Sequence, residues 1–170
     1  MSAWWQQVWN AACEEFSDLP DAAQVTRVTM RLTLAAALGG VLGYEREQKG
    51  KSAGMRTHML VALGAALFVL VPKLAGASDA DLTRVLQGLV AGVGFLGAGT
   101  IIRVPAQGEV QGLTTAAGIW LTAAIGMAAG MGREATALLA TLLALFVLYA
   151  IPKMVQPFGP RDKPPTILRP

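Results

Sequence analysis

The sequence predicts an all-α integral membrane protein: a compact bundle of about five transmembrane helices preceded by a short amphipathic interfacial helix. Three observations lead there. The chain is 54% hydrophobic without glycine, has 19 glycines in 170 residues and is only 15% charged, whereas a soluble domain carries about 25% charge and ~45–50% apolar residues with glycine counted. So little polar surface cannot cover a globule, and a bilayer is the solvent that fits. Apolar runs then recur at lengths near the ~20 residues a spanning helix needs. Finally, the loops between those runs alternate in charge.

A first segment, 1–24, precedes the bundle. Trp5, Val8, Trp9, Ala12 and Phe16 recur at helical spacing, with Trp4 beside them. Tryptophan prefers the headgroup level, so this reads as a helix lying at the interface. The competing reading is an extension of the first span, interrupted at Leu19-Pro20. No basic start or long apolar run precedes Glu14 and Glu15, so a cleavable signal peptide is not expected.

The bundle occupies 25–152. Residues 110–132 are free of charge, as are 85–102 and 135–152. Residues 57–72 carry only His58 and reach spanning length if Lys73 snorkels. Residues 32–44 are charge-free and reach it when 25–31 are added, which brings Arg27 and Arg31 to the membrane. The predicted spans are 25–44, 57–76, 84–103, 112–131 and 134–152. A proline-rich tail, 153–170, follows with no expected fold of its own.

Loop charge sets the orientation. Arg46, Lys49, Lys51 and Arg56, then Arg103, then Lys153, Arg161, Lys163 and Arg169 fall on one side of five spans. Glu14, Glu15, Asp18, Asp21, Asp79 and Asp81 fall on the other, with the Gly132-Arg133-Glu134 turn. The basic side is expected in the cytoplasm, with the N-terminus outside and the C-terminus inside.

The run GVGFLGAGT, 92–100, has the G-x-G-x-x-G spacing of a dinucleotide loop. Such a loop needs a strand before it and an acid about 20 residues on. Here an apolar run precedes it and TTAAGIWL follows at that distance. Neither nucleotide nor nucleic acid is expected as a partner. Small residues instead let helices approach closely in lipid. Gly88 and Gly92 form one small-xxx-small pair, and Gly94 and Ala98 another; Gly97 and Gly99 leave the segment almost bare. Two uses stay open: helix packing, or a broken helix whose freed carbonyls hold an ion.

Cys13 and His58 are each single, so neither an internal disulfide nor a Cys–His constellation can form within the chain. Arg31 lies roughly 9 Å into the first span at ~1.5 Å per residue. It either snorkels outward or pairs inside the bundle. Glu45, Arg46 and Glu47 follow the first span, and Lys51, Gly54, Arg56 and Thr57 lead into the second. This cluster is either a solvated orienting loop or a site. A cation path would have Glu45, carbonyls near Gly94 to Gly99, and the hydroxyls of Thr100, Thr114 and Thr115 to use.

The runs RLTLAAALGGVLGYERE, KSAGMRTHMLVALGAALF, GLVAGVGFLGAGTII and GLTTAAGIWLTAAIGMAAGMG, in that order from Arg31 to Pro152, resemble the MgtC/SapB family of bacterial membrane proteins. The resemblance implies an inner-membrane protein and carries over Arg31, Gly43, Glu45, Arg46, Gly54, Arg56, Thr57, Gly92, Gly94, Phe95, Gly97, Ala98, Gly99, Thr100 and 112–117. Many members carry a soluble domain after the last span; this chain reads as the short form without it. The implied role is regulation or interaction linked to magnesium limitation or stress adaptation. The alternative is a transporter or channel for Mg²⁺ or another cation, using Glu45 and 92–100. No enzymatic activity and no cofactor are expected. The expected partners are the lipid bilayer and either other membrane proteins or further copies of the chain.

Overall fold

A computed structural model describes residues 3–17, 21–103 and 110–155. Asp18, Leu19, Pro20, Glu109 and the charges of the tail after Lys153 lie outside the described residues. The protein is an all-α membrane protein with helices α1 (Ala3–Glu15), α2 (Ala22–Gln48), α3 (Met55–Leu74), α4 (Asp79–Ala98), α5 (Leu113–Gly130) and α6 (Glu134–Val155). A two-residue antiparallel ladder joins α4 to α5: β1 (Ile102–Arg103) pairs with β2 (Val110–Gln111). Four helices, α2, α3, α5 and α6, are long and apolar enough to cross a membrane.

The expected five spans become five long helices, of which α4 differs. Its register is Asp79–Ala98 rather than 84–103, because Ser78 caps it by accepting from the Asp81 N–H at 3.2 Å. The first turns therefore bring Asp79, Asp81 and Arg84 into the helix, and Arg84 bonds Asp81 at 2.8 Å.

α1 is a separate helix with no buried residue; Trp4 and Trp5 stack with centroids 4.2 Å apart. α2 starts afresh behind Asp21, whose carboxylate accepts from the Gln24 N–H at 2.6 Å. It also outruns its expected end. Tyr44, Glu45, Arg46, Glu47 and Gln48 continue the helix, and the chain turns only at Gly50, with φ 63°. The cluster expected in a loop thus takes helical register. Arg46 falls on the face of Ala35, Leu38, Gly39 and Leu42 and is buried with them.

α3 begins at Gly54, which has no side chain to cap it. Glu47 does so from the end of α2: its carboxylate accepts the Met55 N–H at 2.9 Å. Glu47→Ala is expected to destabilise the protein by about 1 kcal/mol, the usual cost of a lost cap. A lowered thermal midpoint in detergent, with helicity retained, checks this.

α3 lies between α2 and α5 because glycines remove the obstructing side chains. A Cβ on Gly39 would lie 2.5 Å from the His58 carbonyl oxygen, and one on Gly43 would lie 2.6 Å from the Met55 Cα. On the other side, a Cβ on Gly126 would overlap the Ala62 carbonyl, and one on Gly130 would lie 2.5 Å from that of Ala66. Ala62 meets both Gly39 and Gly126, so three helices converge on one alanine. The core around it is mostly small: Ala35, Ala62, Ala66, Ala129, Ala137 and Ala144, with Leu38, Leu42 and Ile125. Hydrophobic transfer does not drive helix association between lipid-dissolved helices; close backbone approach does.

Side-chain bonds mark the two ends of the bundle. At one, Lys73 at the end of α3 donates to the Met131 carbonyl at 2.9 Å, and Arg31 pairs with Glu134 at 3.6 Å. At the other, the end of α2 meets the start of α3 and the first turns of α5.

Candidate functional site

The second end holds the most unusual polar group in the structure. Glu45 and Arg46 are neighbours in the chain, and Arg46 Nε lies 3.1 Å from Glu45 Oε2. Both side chains are largely buried, at 6% and 14% exposure for Arg46 and Glu45. Among the described residues, Glu45 Oε1, Glu45 Oε2 and Arg46 Nε have no hydrogen-bond partner. A buried pair with unmet hydrogen-bonding capacity is costly to maintain.

His58 stands beside them, fully buried in the first turn of α3. Its Nδ1 lies 3.0 Å from the Gly54 carbonyl oxygen. A carbonyl only accepts, so Nδ1 carries the hydrogen and Nε2 is a bare acceptor. Nε2 has no partner among the described residues. It faces Gly118 of α5, where a Cβ would lie 3.5 Å from Nε2 and 4.0 Å from the Arg46 Cδ. The missing side chain leaves a cavity of about 450 Å³ between α2, α3, α5 and α6. Arg46, His58 and Thr114 supply its polar groups; Leu42, Leu121, Leu143 and Val147 are among its apolar walls.

The remaining sequence candidates fall elsewhere. Arg31 pairs with the half-exposed Glu134 and sits over Gly132, so it pairs at the opposite end of the bundle rather than inside it. Thr57 and Thr100 line a second cavity of about 300 Å³ with Ser52 and Gly99. Thr100 is held by its own hydroxyl, which donates to the Gly97 carbonyl at 2.7 Å. Arg56 is exposed and Thr115 is buried. The structure brings Arg46 and Thr114 to one cavity and Thr57 and Thr100 to another, and Glu45 lines neither.

The glycines of α4 are used differently from those of the core. α4 is unbroken through Gly88, Gly92, Gly94 and Gly97 and ends at Ala98. A Cβ on Gly88, Gly92 or Gly94 would meet nothing within 4 Å; Gly88 and Gly92 line an open cleft with Phe68 of α3. Gly97 meets Ala116 at an ordinary 3.5 Å, and Gly99 meets only its own turn. Among the described residues, the glycine that the connection demands is Gly112, with φ 91° and its α-hydrogen face against the Thr100 carbonyl.

Sequence reasoning set His58 aside as an isolated residue and did not single out Gly118 or Glu134. The available signal for His58 was its position as the sole titratable group in an apolar run. As for a divalent cation, no group of three His, Cys, Asp or Glu side chains that could hold one occurs among the described residues. The Glu45 carboxylate already faces a guanidinium.

Fold and site together define a polytopic α-helical membrane protein with a buried ion pair and an imidazole at one end of its bundle. The family model described as "MgtC family" matches residues 32–156, and the chain belongs to the MgtC family. It is 46% identical over 132 residues to "Protein SrpB" of Synechococcus elongatus, covering 71% of this chain and 72% of that one. It is 45% identical over 127 residues to "Putative magnesium transporter YhiD" of Escherichia coli K12, covering 70% and 58%. To "Protein MgtC" of Brucella abortus it is 42% identical over 123 residues, covering 72% and 50%. The match thus spans only 50–58% of the length of the last two relatives. No solved structure matches the chain.

Proposed function

We propose that this chain is a non-enzymatic regulatory or interaction protein of the bacterial inner membrane, linked to magnesium limitation or stress adaptation, with its N-terminus outside and its C-terminus in the cytoplasm. The observation that carries the reading is the open face of α4. Gly88 and Gly92 lie one turn apart, where a Cβ would meet nothing within 4 Å, at a cleft lined also by Phe68 of α3. Bare backbone is a surface suited to a transmembrane helix of a partner, through close approach. The printed name of the Escherichia coli relative supports the link to magnesium.

Gly92→Leu separates folding from function. Leucine is the better helix former by about 1 kcal/mol, and open space receives it. The variant is expected to match wild type in yield and thermal midpoint in detergent. It is also expected to fail to restore growth at limiting Mg²⁺ in cells that depend on the wild-type chain. Full restoration would remove α4 as the working surface.

The second reading is a cation transporter, favoured by the two buried oxygens of Glu45, which accept no hydrogen bond from the described residues. Mg²⁺ flux into proteoliposomes decides between the two. The regulatory reading expects wild-type flux equal to empty vesicles. Saturable flux lost in Glu45→Gln would establish transport and place its path.

A further inference from the structure

We propose that the cavity between α2, α3, α5 and α6 binds a membrane lipid with a phosphate-monoester head, held by Arg46, His58 and Thr114, with its acyl chain lying between α5 and α6. The polar end comes first. Arg46 and His58 are both buried, and His58 Nε2 faces the space that Gly118 leaves vacant. One point on that side, the position of a Gly118 Cβ, lies 3.5 Å from Nε2 and 4.0 Å from the Arg46 Cδ. Arg46, His58 and Thr114 all line this one cavity, so a head group placed in it lies beside all three.

The chemistry of the head follows from what the two groups lack. A guanidinium only donates, and Nε2 of this tautomer only accepts. A carboxylate at neutral pH offers acceptors alone. A phosphate monoester gives up its second proton at about pH 6 in water; in the singly protonated form, beside the one uncompensated acceptor Nε2, it offers both: oxygens for Arg46 and a P–OH for Nε2, with the Thr114 hydroxyl able to serve either. Arginine–phosphate pairs are also among the strongest hydrogen-bonded contacts. Glu45 already balances Arg46, which suits a head bearing one negative charge rather than two.

The rest of the cavity explains the tail. From Thr114 to Leu121 it runs about 10 Å along α5 at ~1.5 Å per residue, walled by Leu42, Leu121, Leu143 and Val147. Leu143 and Val147 are exposed on the outer face of α6, so the cavity opens toward lipid. Its volume of about 450 Å³ lies within the roughly 300–1,000 Å³ of small-molecule sites. The polar residues sit near the ends of their helices, at headgroup depth, beside the exposed Lys49, Lys51 and Arg56, which attract anionic lipid.

Titration of the full chain in neutral detergent micelles with oleoyl lysophosphatidic acid, read by native mass spectrometry, tests this. Saturable one-to-one binding is expected. Lysophosphatidylcholine with the same chain and glycerol 3-phosphate with none should each bind about ten-fold or more weakly, the size of one lost charge-assisted bond or of the lost apolar burial. Gly118→Leu fills the space beside Nε2 and should abolish binding. Thr114→Val, at an exposed position, keeps the fold secure and should weaken binding several-fold. The charge-balanced pair Glu45→Gln/Arg46→Gln should also lose it. Equal affinity for lysophosphatidylcholine, or undiminished binding by folded Gly118→Leu or by Thr114→Val, would overturn the proposal. Equal affinity for glycerol 3-phosphate would replace the lipid with a soluble phosphate.

Discussion

Gly126→Leu is expected to abolish folding, leaving no monodisperse protein after extraction in mild detergent. A Cβ at 126 would already overlap the Ala62 carbonyl, and leucine adds three more carbons in the same direction. Overpacked cores typically lose ~1–3 kcal/mol by shifting flexible side chains. Here the obstruction is backbone of α3, and α3 cannot retreat, because its other side is pressed against Gly39 and Gly43 of α2. Separating α3 from α5 would also break the contacts of Ala66 with Gly130 one turn away. The matched control is Gly92→Leu, the same substitution on a glycine with open space around it. Size-exclusion profiles and thermal midpoints of the two variants make the comparison. If Gly126→Leu migrated and melted like wild type, the close crossing of α3 and α5 would not exist in the membrane.

This pair of glycines also shows what the sequence could and could not reveal. Small-xxx-small spacing occurs on several helices, at Gly39 and Gly43 and at Gly126 and Gly130 as well as at Gly88 and Gly92, and it marks faces that can approach another helix. It carries no information about which other helix, or whether that helix belongs to the same chain. Gly39 and Gly43, and likewise Gly126 and Gly130, turn out to press on α3; Gly88 and Gly92, with the same spacing, have nothing within 4 Å of where a Cβ would stand. Only the tertiary arrangement separates them. The helices themselves were legible, since length and hydropathy set them, and α2, α3, α5 and α6 fall close to their expected ranges. Their ends were less so. The first span was ended at Tyr44 because charge was taken to mean loop, yet Glu45, Arg46 and Glu47 are good helix formers and nothing breaks the helix before Gly50.

That extension is why the site was only partly readable. In a loop, Glu45, Arg46 and Glu47 would all be solvated. On a helix, successive residues point about 100° apart, so the three take different tasks. Glu47 caps α3, Arg46 turns into the bundle, and Glu45 lies beside it. His58 joins them by the close crossing at Gly39 and Gly43, a contact across helices that no linear motif records. Arg31 likewise finds its partner, Glu134, on a helix distant in the sequence, a contact that spacing along the chain does not record.

Breaking the buried pair should be the most damaging single charge change. Arg46→Gln is expected to lower stability by about 3–5 kcal/mol, the range for removing one member of a buried ion pair. The reason lies in what remains. Glu45 would keep a carboxylate with both oxygens buried and no hydrogen bond from the described residues, now without its counter-charge. Glu45→Gln is expected to cost less, because the long arginine side chain can carry its guanidinium toward the headgroup region while its methylenes stay packed. The double variant Glu45→Gln/Arg46→Gln should then be more stable than Arg46→Gln alone, since it leaves no buried charge. The coupling between the two sites, read from a cycle of thermal or denaturant midpoints in one detergent, should be about 1–3 kcal/mol, the range for residues in one ionic network. Contrast this with Arg31 and Glu134, separated by 3.6 Å with Glu134 half exposed, where the same cycle should give less than about 1 kcal/mol. Additive effects at 45 and 46 would mean that the two charges do not share a desolvated site, and the polar end of the cavity would then have to be drawn without them.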